Sequence, residues 1–401
     1  MSIEDDVTAP AHVLVVGASA SGLTTVEALR RKGYEGRITV LGDEPHAPYD
    51  RPPLSKQVLS GAWSPGRAVL RGQEVLSALD AEFALGDPAV GLNAASRTVR
   101  TGSGREWGAD AIVVATGVRA RHLPGQQALT GVHVLRTLDD SLALRADLLA
   151  ATRLVVVGEG VLGSEIAATA RSLGLDVTLT GPLPAPMALQ VGPLVSEVLA
   201  DLHTDRGVRL RLGTGVTGLT GADGRVTGVR LGTGEVLPAD VVAVAIGAVP
   251  ATDWLADSGL ELDNGVVCDS RCRAEEGIYA VGDVARWHHE HLGRLVRLEN
   301  RTNATEQAMA VAANILGPEQ PYLPVPYFWT DQFDAKIQVH GFLPVDAEAD
   351  VVEGDLPARR FVVRYRSEGR VTGVLGWNMP KQTRLRRQEI VDALDASVST
   401  N

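Results

Sequence analysis

The chain has 401 residues, of which 45% are hydrophobic and 22% charged, and its formal net charge is -11. That length accommodates two to three domains at roughly 150 residues each, and the composition is ordinary for a soluble globular protein. The acidic balance argues against a nucleic-acid footprint. Two cysteines, Cys268 and Cys272, cannot staple a scaffold and suit a reducing cytoplasm. No apolar run approaches the ~20 residues of a membrane span. The acidic, polar stretch Met1 to Pro10 lacks the apolar core of a signal peptide.

His12-Val13-Leu14-Val15-Val16 reads as a buried strand, Gly17 to Gly22 as a tight turn, and Leu23 to Arg30 as a helix. Strand, glycine turn and helix make a diphosphate cradle, because the first amides of the helix are unpaired and its dipole favours negative charge. Gly17 allows the turn and Gly22 lets helix and strand pack closely. Ser19 stands where the middle glycine is usual; it is small, and its hydroxyl can donate to a phosphate. Arg37 to Glu44 is a second strand ending in acid. Glu44 follows Gly22 by about 20 positions, the spacing of an acid that accepts the ribose hydroxyls of an adenosine. A solvated strand end is the plainer reading of Asp43 and Glu44.

Pro48-Tyr49-Asp50-Arg51-Pro52-Pro53-Leu54-Ser55-Lys56 is a stiffened segment that holds Arg51 and Lys56 on a rigid base, for a cofactor or for surface ion pairs. Short strands follow from Phe83, with a hairpin tip at Gly102-Ser103-Gly104. A buried strand, Ala111 to Ala115, runs into Thr116-Gly117, and Arg119 to Gly125 reads as a crossover. Leu154 to Glu165 then repeats the opening device with Gly158, Gly160 and Gly163 all present, followed by a helix to Leu173 and a strand Asp176 to Thr180. Two such units in one chain predict a flavoprotein with two dinucleotide sites.

The second unit departs from an ordinary NAD site in two places. Gly181 stands where the ribose-binding acid is expected, and Glu159 sits inside the diphosphate loop, where a carboxylate would repel phosphate. Replacing Gly181 with Glu is therefore expected to strengthen NADH over NADPH. Gly207 to Gly234 reads as β-hairpins, and Val241 to Gly247 as a buried strand. Gly277 to Asp283 ends a strand in a Gly-Asp pair, and an Asp there can bond ribityl or phosphate oxygens. A helix from Asn303 to Leu316, a linker from Pro318 to Pro326, and a small α+β piece with a strand Val362 to Arg366 and a basic helix start Lys381 to Arg387 complete the chain. His288, His289 and His291 fall in a predicted surface loop, and their spacing lacks a fixed fourth ligand, so no metal is expected.

Gly17 to Gly22, Pro48 to Lys56, Ala115-Thr116-Gly117, Leu135-Arg136-Thr137-Leu138-Asp139-Asp140, Gly158 to Glu165, Tyr279 to Ala285 and Tyr327 to Gln332 stand in one order across nearly the whole chain. With these motifs the sequence resembles the pyridine-nucleotide-dependent ferredoxin reductases that feed Rieske oxygenases and cytochromes P450. The resemblance implies an α/β fold with two Rossmann-like domains, glutathione-reductase-like, plus a small α+β C-terminal domain. The expected division is residues 1–117 with 243–322 for FAD, 118–242 for NAD(P) and 323–401 for the C-terminal domain.

The implied FAD contacts are Ser21, Asp43 or Glu44, Arg51, Lys56, Val90, Arg136, Asp283, Arg301 and Trp329. Gly17, Ser19, Gly22, Ala115, Thr116, Gly117, Gly158, Gly160, Gly163, Gly247 and Gly282 complete the cofactor-binding set. Lys56 and Glu165 are expected beside the reactive part of the flavin and the nicotinamide. The implied cofactors are FAD and NAD(P)H, with NADH favoured. The implied partner is an iron–sulfur ferredoxin docking at the flavin edge, on a basic rim drawn from Arg294, Arg297, Arg301 and Lys381 to Arg387; through it the chain would serve a P450 or Rieske oxygenase. Asn300-Arg301 replaces the His-Trp of many relatives. Two rivals stand beside this reading. A disulfide reductase or NADH-oxidase-like enzyme needs a redox cysteine near Arg51 to Lys56, and there is none. A non-catalytic flavoprotein, like apoptosis-inducing-factor relatives, would fit a weakened nicotinamide site.

Overall fold

The computed structural model describes residues 9–398. Most of the acidic segment Met1 to Pro10 lies outside the described residues. The chain divides into two compact units, one of residues 1–50, 69–119 and 249–326, the other of residues 51–68, 120–248 and 327–401.

The first unit is built on a six-stranded sheet in the order Arg273–Glu275, Ile278–Ala280, Ala111–Val114, His12–Val16, Arg37–Gly42, Glu82–Leu85. All neighbours are parallel except the first pair. Val13, Leu14, Val15, Ile112, Val113 and Val114 are completely shielded from solvent, as the continuous apolar runs of a sheet covered on both faces require. The helices Ala20–Arg31 and Arg301–Leu316 pack against each other in this unit. An antiparallel meander, Ala89–Asn93, Thr98–Thr101 and Glu106–Gly108, turns at the expected Gly102 to Gly104 tip.

The second unit carries an all-parallel sheet in the order Arg209–Leu212, Asp176–Gly181, Arg153–Val157, Val241–Val244, Val132–His133. The hairpin expectation for Gly207 to Gly234 holds only for Val216–Ala222, Arg225–Leu231 and the added strand Val236–Pro238. Arg209–Leu212 is instead the parallel edge of this sheet, where every second side chain reaches solvent and mimics a hairpin pattern. The C-terminal residues form a five-stranded antiparallel sheet, Tyr327–Gln332, Ala335–Gly341, Arg370–Trp377, Arg360–Ser367, Glu348–Asp355 in spatial order, and a helix Pro380–Val398.

The helix Ala188–Asp205 lays Val191, Val195, Leu199 and Leu202 on that sheet, against Ile337, Phe361, Val363 and Trp377. It is broken at Gly192, whose φ of 72° is not helical. Pro193 then starts the longer piece at a position where a missing amide costs nothing. Two further expectations change. Pro318 to Pro326 is not a loose linker: Tyr322 is buried, accepts the Trp287 indole at its carbonyl and donates its hydroxyl to Asn303. His289 is not on a surface loop but is buried at the end of the strand Ala285–His289. Among the described residues no cluster of His, Cys, Asp or Glu could hold a metal ion, and no helix is long and apolar enough to cross a membrane.

Candidate functional site

Each unit contains one cradle, and the two are built alike. Gly17 has φ 121° and Gly158 φ 111°, a region that favours glycine. A Cβ on Gly17 would stand 2.2 Å from the Ala115 carbonyl oxygen, and one on Gly158 would stand 2.2 Å from that of Ala245. A Cβ on Gly22 or Gly163 would lie 1.8 Å from the carbonyl oxygen of Gly17 or Gly158, respectively. Those four glycines are needed for backbone to meet backbone. Gly160 differs, because a Cβ there would meet nothing within 4 Å. The equivalent Ser19 is tolerated for the same reason. Neither helix is capped by a side chain or carries an acid in its first turn. Both therefore present amides and a positive dipole end to an anion, so the residues present fit a dinucleotide diphosphate in each unit.

Around the first cradle, Ser21 Oγ would be 2.9 Å from a Cβ on Gly282, so helix and Gly-Asp turn touch. The Gly282 amide donates to Gln307 Oε1 (2.8 Å) and Arg297 donates to the Asp283 carbonyl (3.0 Å), which fixes the turn. Of the two acids after the second strand, Asp43 is exposed, whereas Glu44 is half-buried and accepts the Tyr49 hydroxyl. Arg301 donates to Asp50 and to Thr305. Thr116 donates to the Ala251 carbonyl (2.9 Å), and Gly117 accepts the Ala251 amide (2.9 Å). Val90 stands on the meander, 43% exposed.

The remaining expected residues lie in the second unit. Lys56 Nζ is 2.7 Å from Glu165 Oε2, and Ser55 Oγ donates to the same oxygen at 2.6 Å. Thr330 Oγ1 donates to Glu165 Oε1 at 2.8 Å and itself accepts from Gln332. Glu165 is 5% exposed, so this carboxylate is buried with three donors, the condition under which a buried charge is tolerated. Thr169 donates to the Ser55 carbonyl (2.8 Å), tying the Pro-Pro turn to the helix that carries Glu165. Arg51 donates to the Arg136 carbonyl (2.5 Å), and the helix Leu138–Ala150 begins in a capping box of Thr137 and Asp140. Trp329 stacks on Tyr327 at 5.9 Å. Gly247, at φ 91°, is followed by the crossing into the first unit.

Sequence reasoning missed Ser55, Thr330, Asp50 and Gln307 as partners. Ser55 and Thr330 sat inside quoted motifs, and their hydroxyls next to a rigid turn and on a strand were the available signal.

The structure corrects the reading of Glu159. Its side chain is 4% exposed, and its Oε1 accepts the Leu183 amide at 2.6 Å, beyond the end of the strand Asp176–Gly181. A Cβ on Gly181 would be 1.7 Å from Glu159 Oε2. The carboxylate is thus turned to the strand end that Gly181 leaves open. A side chain at position 181 would displace it, which also changes what Gly181→Glu alone would report.

Both cysteines are free and buried. Burial pushes the Cys272 thiol up to about 12 and the Cys268 thiol well above its usual value, so neither supplies a thiolate nucleophile. Of the expected docking cations, Arg297 pairs with Glu299 and Arg301 with Asp50, while Arg294, Lys381, Arg384 and Arg387 are exposed.

Residues 11–308 match the family profile described as pyridine nucleotide-disulphide oxidoreductase, and residues 327–398 match the reductase C-terminal profile. The chain is 37% identical over 371 residues to rhodocoxin reductase of Rhodococcus erythropolis, covering 92% of this chain and 87% of that one. It is 39% identical over 374 residues to the ferredoxin–NAD(+) reductase subunit of the benzene 1,2-dioxygenase system of Pseudomonas putida, covering 92% and 90%. It also matches the structure of a covalent putidaredoxin reductase–putidaredoxin complex with TM-score 0.90 and 34% identity, covering 95% and 93%.

Proposed function

Because the chain belongs to the pyridine nucleotide-disulphide oxidoreductase family, in its ferredoxin reductase branch, we propose that it takes electrons from NAD(P)H through FAD and delivers them to an iron–sulfur ferredoxin of a P450 or Rieske oxygenase. The observation that carries this reading over a dithiol mechanism is local. Where disulfide reductases need a redox cysteine, this chain has Ser55 and Lys56 holding Glu165, and its only thiols are buried and protonated. A non-catalytic role finds no support in a second cradle as complete as the first.

When bound, FAD supplies a ring that accepts an electron pair as hydride and releases the electrons singly. Gly17, Ser19, Ser21 and Gly22 would hold its diphosphate and Glu44 its adenosine ribose, with Asp283 and Arg301 as further contacts in the same unit. Gly158, Gly160 and Gly163 would take the diphosphate of the nicotinamide dinucleotide. The Lys56 ammonium is neutralised by Glu165, so the pair would act beside the flavin through the direction of its N–H groups rather than through net charge. Glu165 acts through Lys56 and is a positioning residue. The division into residues 1–117 with 243–322, 118–242 and 323–401 remains a proposal; it differs from the two compact units in assigning 51–68 to the FAD residues and in cutting the strand Val241–Val244, which pairs with Arg153–Val157. A cytoplasmic location suits two free thiols.

The test is anaerobic titration of the yellow holoprotein with NADH and with NADPH, followed by an oxidised [2Fe–2S] ferredoxin. The expected result is bleaching at the flavin band and its return on adding ferredoxin. A colourless protein that takes up no flavin, or bleaching that ferredoxin does not reverse, overturns the reading.

A further inference from the structure

We infer that Glu159 reads the adenosine ribose of the nicotinamide nucleotide and selects NADH over NADPH, doing from the diphosphate loop what an acid at position 181 does elsewhere. The inference rests on the second cradle being the nicotinamide-dinucleotide site.

Three observations carry it. First, in a strand–loop–helix cradle the end of the second strand is where the adenosine ribose lies, because a residue there meets the 2′-hydroxyl. Gly181 ends that strand and offers no side chain. Second, the carboxylate of Glu159 occupies this place: its Oε2 lies 1.7 Å from where a Cβ on Gly181 would stand, and its Oε1 is anchored by the Leu183 amide at 2.6 Å. The Glu159 backbone is held too, since its carbonyl accepts the Met187 amide at 2.7 Å and the Ser164 hydroxyl at 3.3 Å. Third, the carboxylate is under-supplied. It is 4% exposed, yet the Leu183 amide is its only hydrogen-bond donor among the described residues. Oε1 takes that donor, and Oε2, which is not among the fully buried unpartnered side-chain atoms, is open to a donor from a ligand. Glu165 in the same unit shows the satisfied case, with three.

A ribose 2′-hydroxyl is a donor that Oε2 can accept, and the hydrogen bond to a charged acceptor is of the strong kind. A 2′-phosphate has no proton to give at neutral pH and brings like charge against a carboxylate with little solvent between them. Glu159 and Gly181 are therefore one device. The glycine is small so that the acid from the neighbouring loop can reach over it.

The test uses holoprotein with FAD bound and reads binding of NAD+ and NADP+ by titration calorimetry. Glu159→Gln keeps an oxygen for the Leu183 amide and removes the charge. The expected result is a fall of about tenfold or more in the preference for NAD+ over NADP+, with flavin content and melting temperature unchanged. The exchange variant, Glu159→Gly with Gly181→Glu, is expected to recover the preference that Glu159→Gly alone loses. A structural role for Glu159 would lower the melting temperature and leave the ratio of the two affinities alone. An unaltered ratio in Glu159→Gln, or an exchange variant that stays unselective, overturns the inference even while NADH still bleaches the flavin. Failure of the wild-type protein to bind either nucleotide instead removes the reading of the cradle itself.

Discussion

One added carbon should act differently at two glycines of the second cradle. Gly160→Ala points its methyl into open space, so stability should stay within about 0.5 kcal/mol and NAD+ binding should persist, as the Ser19 side chain at the equivalent position of the first cradle implies. Gly163→Ala drives its methyl into the Gly158 carbonyl, 1.8 Å away. It should unfold the second unit or cost several kcal/mol, about the range of severe overpacking. Urea melts paired with calorimetry of NAD+ binding separate the two; equal loss of stability in both would show that the space beside Gly160 is not open. The position of Gly163 was legible in the sequence, because close backbone approach leaves no room for a side chain there, whereas Gly160 is under no such constraint. The setting of Glu165 was not. Its donors Ser55 and Thr330 come from segments far away in sequence, and periodicity carries no record of such a meeting. Glu159 was misread for a related reason: a loop position suggests where a side chain begins, but the opening over Gly181 decides where its carboxylate ends.

At the scale of one element, the C-terminal sheet holds a pH-sensitive group. His340, on the strand Ala335–Gly341, is 8% exposed. Burial, helped by Arg387, lowers its pKa from 6.5 to about 4. The native state therefore keeps it neutral while the unfolded chain protonates it below 6.5. Stability on this account is full above pH 6.5 and is lost as pH falls toward 4, since the unfolded state binds the extra proton. His340→Gln should flatten that part of the stability–pH curve, measured by urea unfolding between pH 4 and 7. The flattening is partial, because burial also lowers His203 and His289. A slope identical to wild type would mean His340 is protonated in the native fold.

Element type was readable wherever an apolar run ended at a glycine turn, as at Val13 to Val16 and Leu154 to Val157, since both faces of those strands are covered. It was not readable at Arg209–Leu212, where an edge strand has one wet face, nor at Pro318 to Pro326, where prolines suggested slack and Tyr322 makes a packed corner.

For the whole molecule, charge is the lever on encounter. The net charge is -11, so an acidic ferredoxin meets overall repulsion, and the proposed docking would draw on exposed cations within either unit, Arg294 in the first and the Lys381 to Arg387 stretch in the second. Arg294, Lys381, Arg384 and Arg387 are the exposed candidates, whereas Arg297 and Arg301 are committed to Glu299 and Asp50. Ferredoxin reduction, as kcat/KM, should therefore fall as salt rises from about 0.02 to 0.5 M, where the Debye length shrinks from roughly 20 to 4 Å. Arg384→Ala with Arg387→Ala should lower the rate at low salt and weaken its salt dependence. A salt profile that is flat in the wild-type protein removes the charged dock.

The interleaving of the two units has a consequence for synthesis. A ribosome that has just passed Pro326 has delivered every segment of the first unit. The helix Ala188–Asp205 emerged well before then, but the sheet that shelters Val191, Val195, Leu199 and Leu202 is still untranslated. At roughly 5–20 residues per second this greasy stripe waits on the order of ten seconds for its cover. During that interval the nascent polypeptide is a natural client for holdases, and an mRNA cut short before the final strands would yield a product that flavin could not rescue from aggregation.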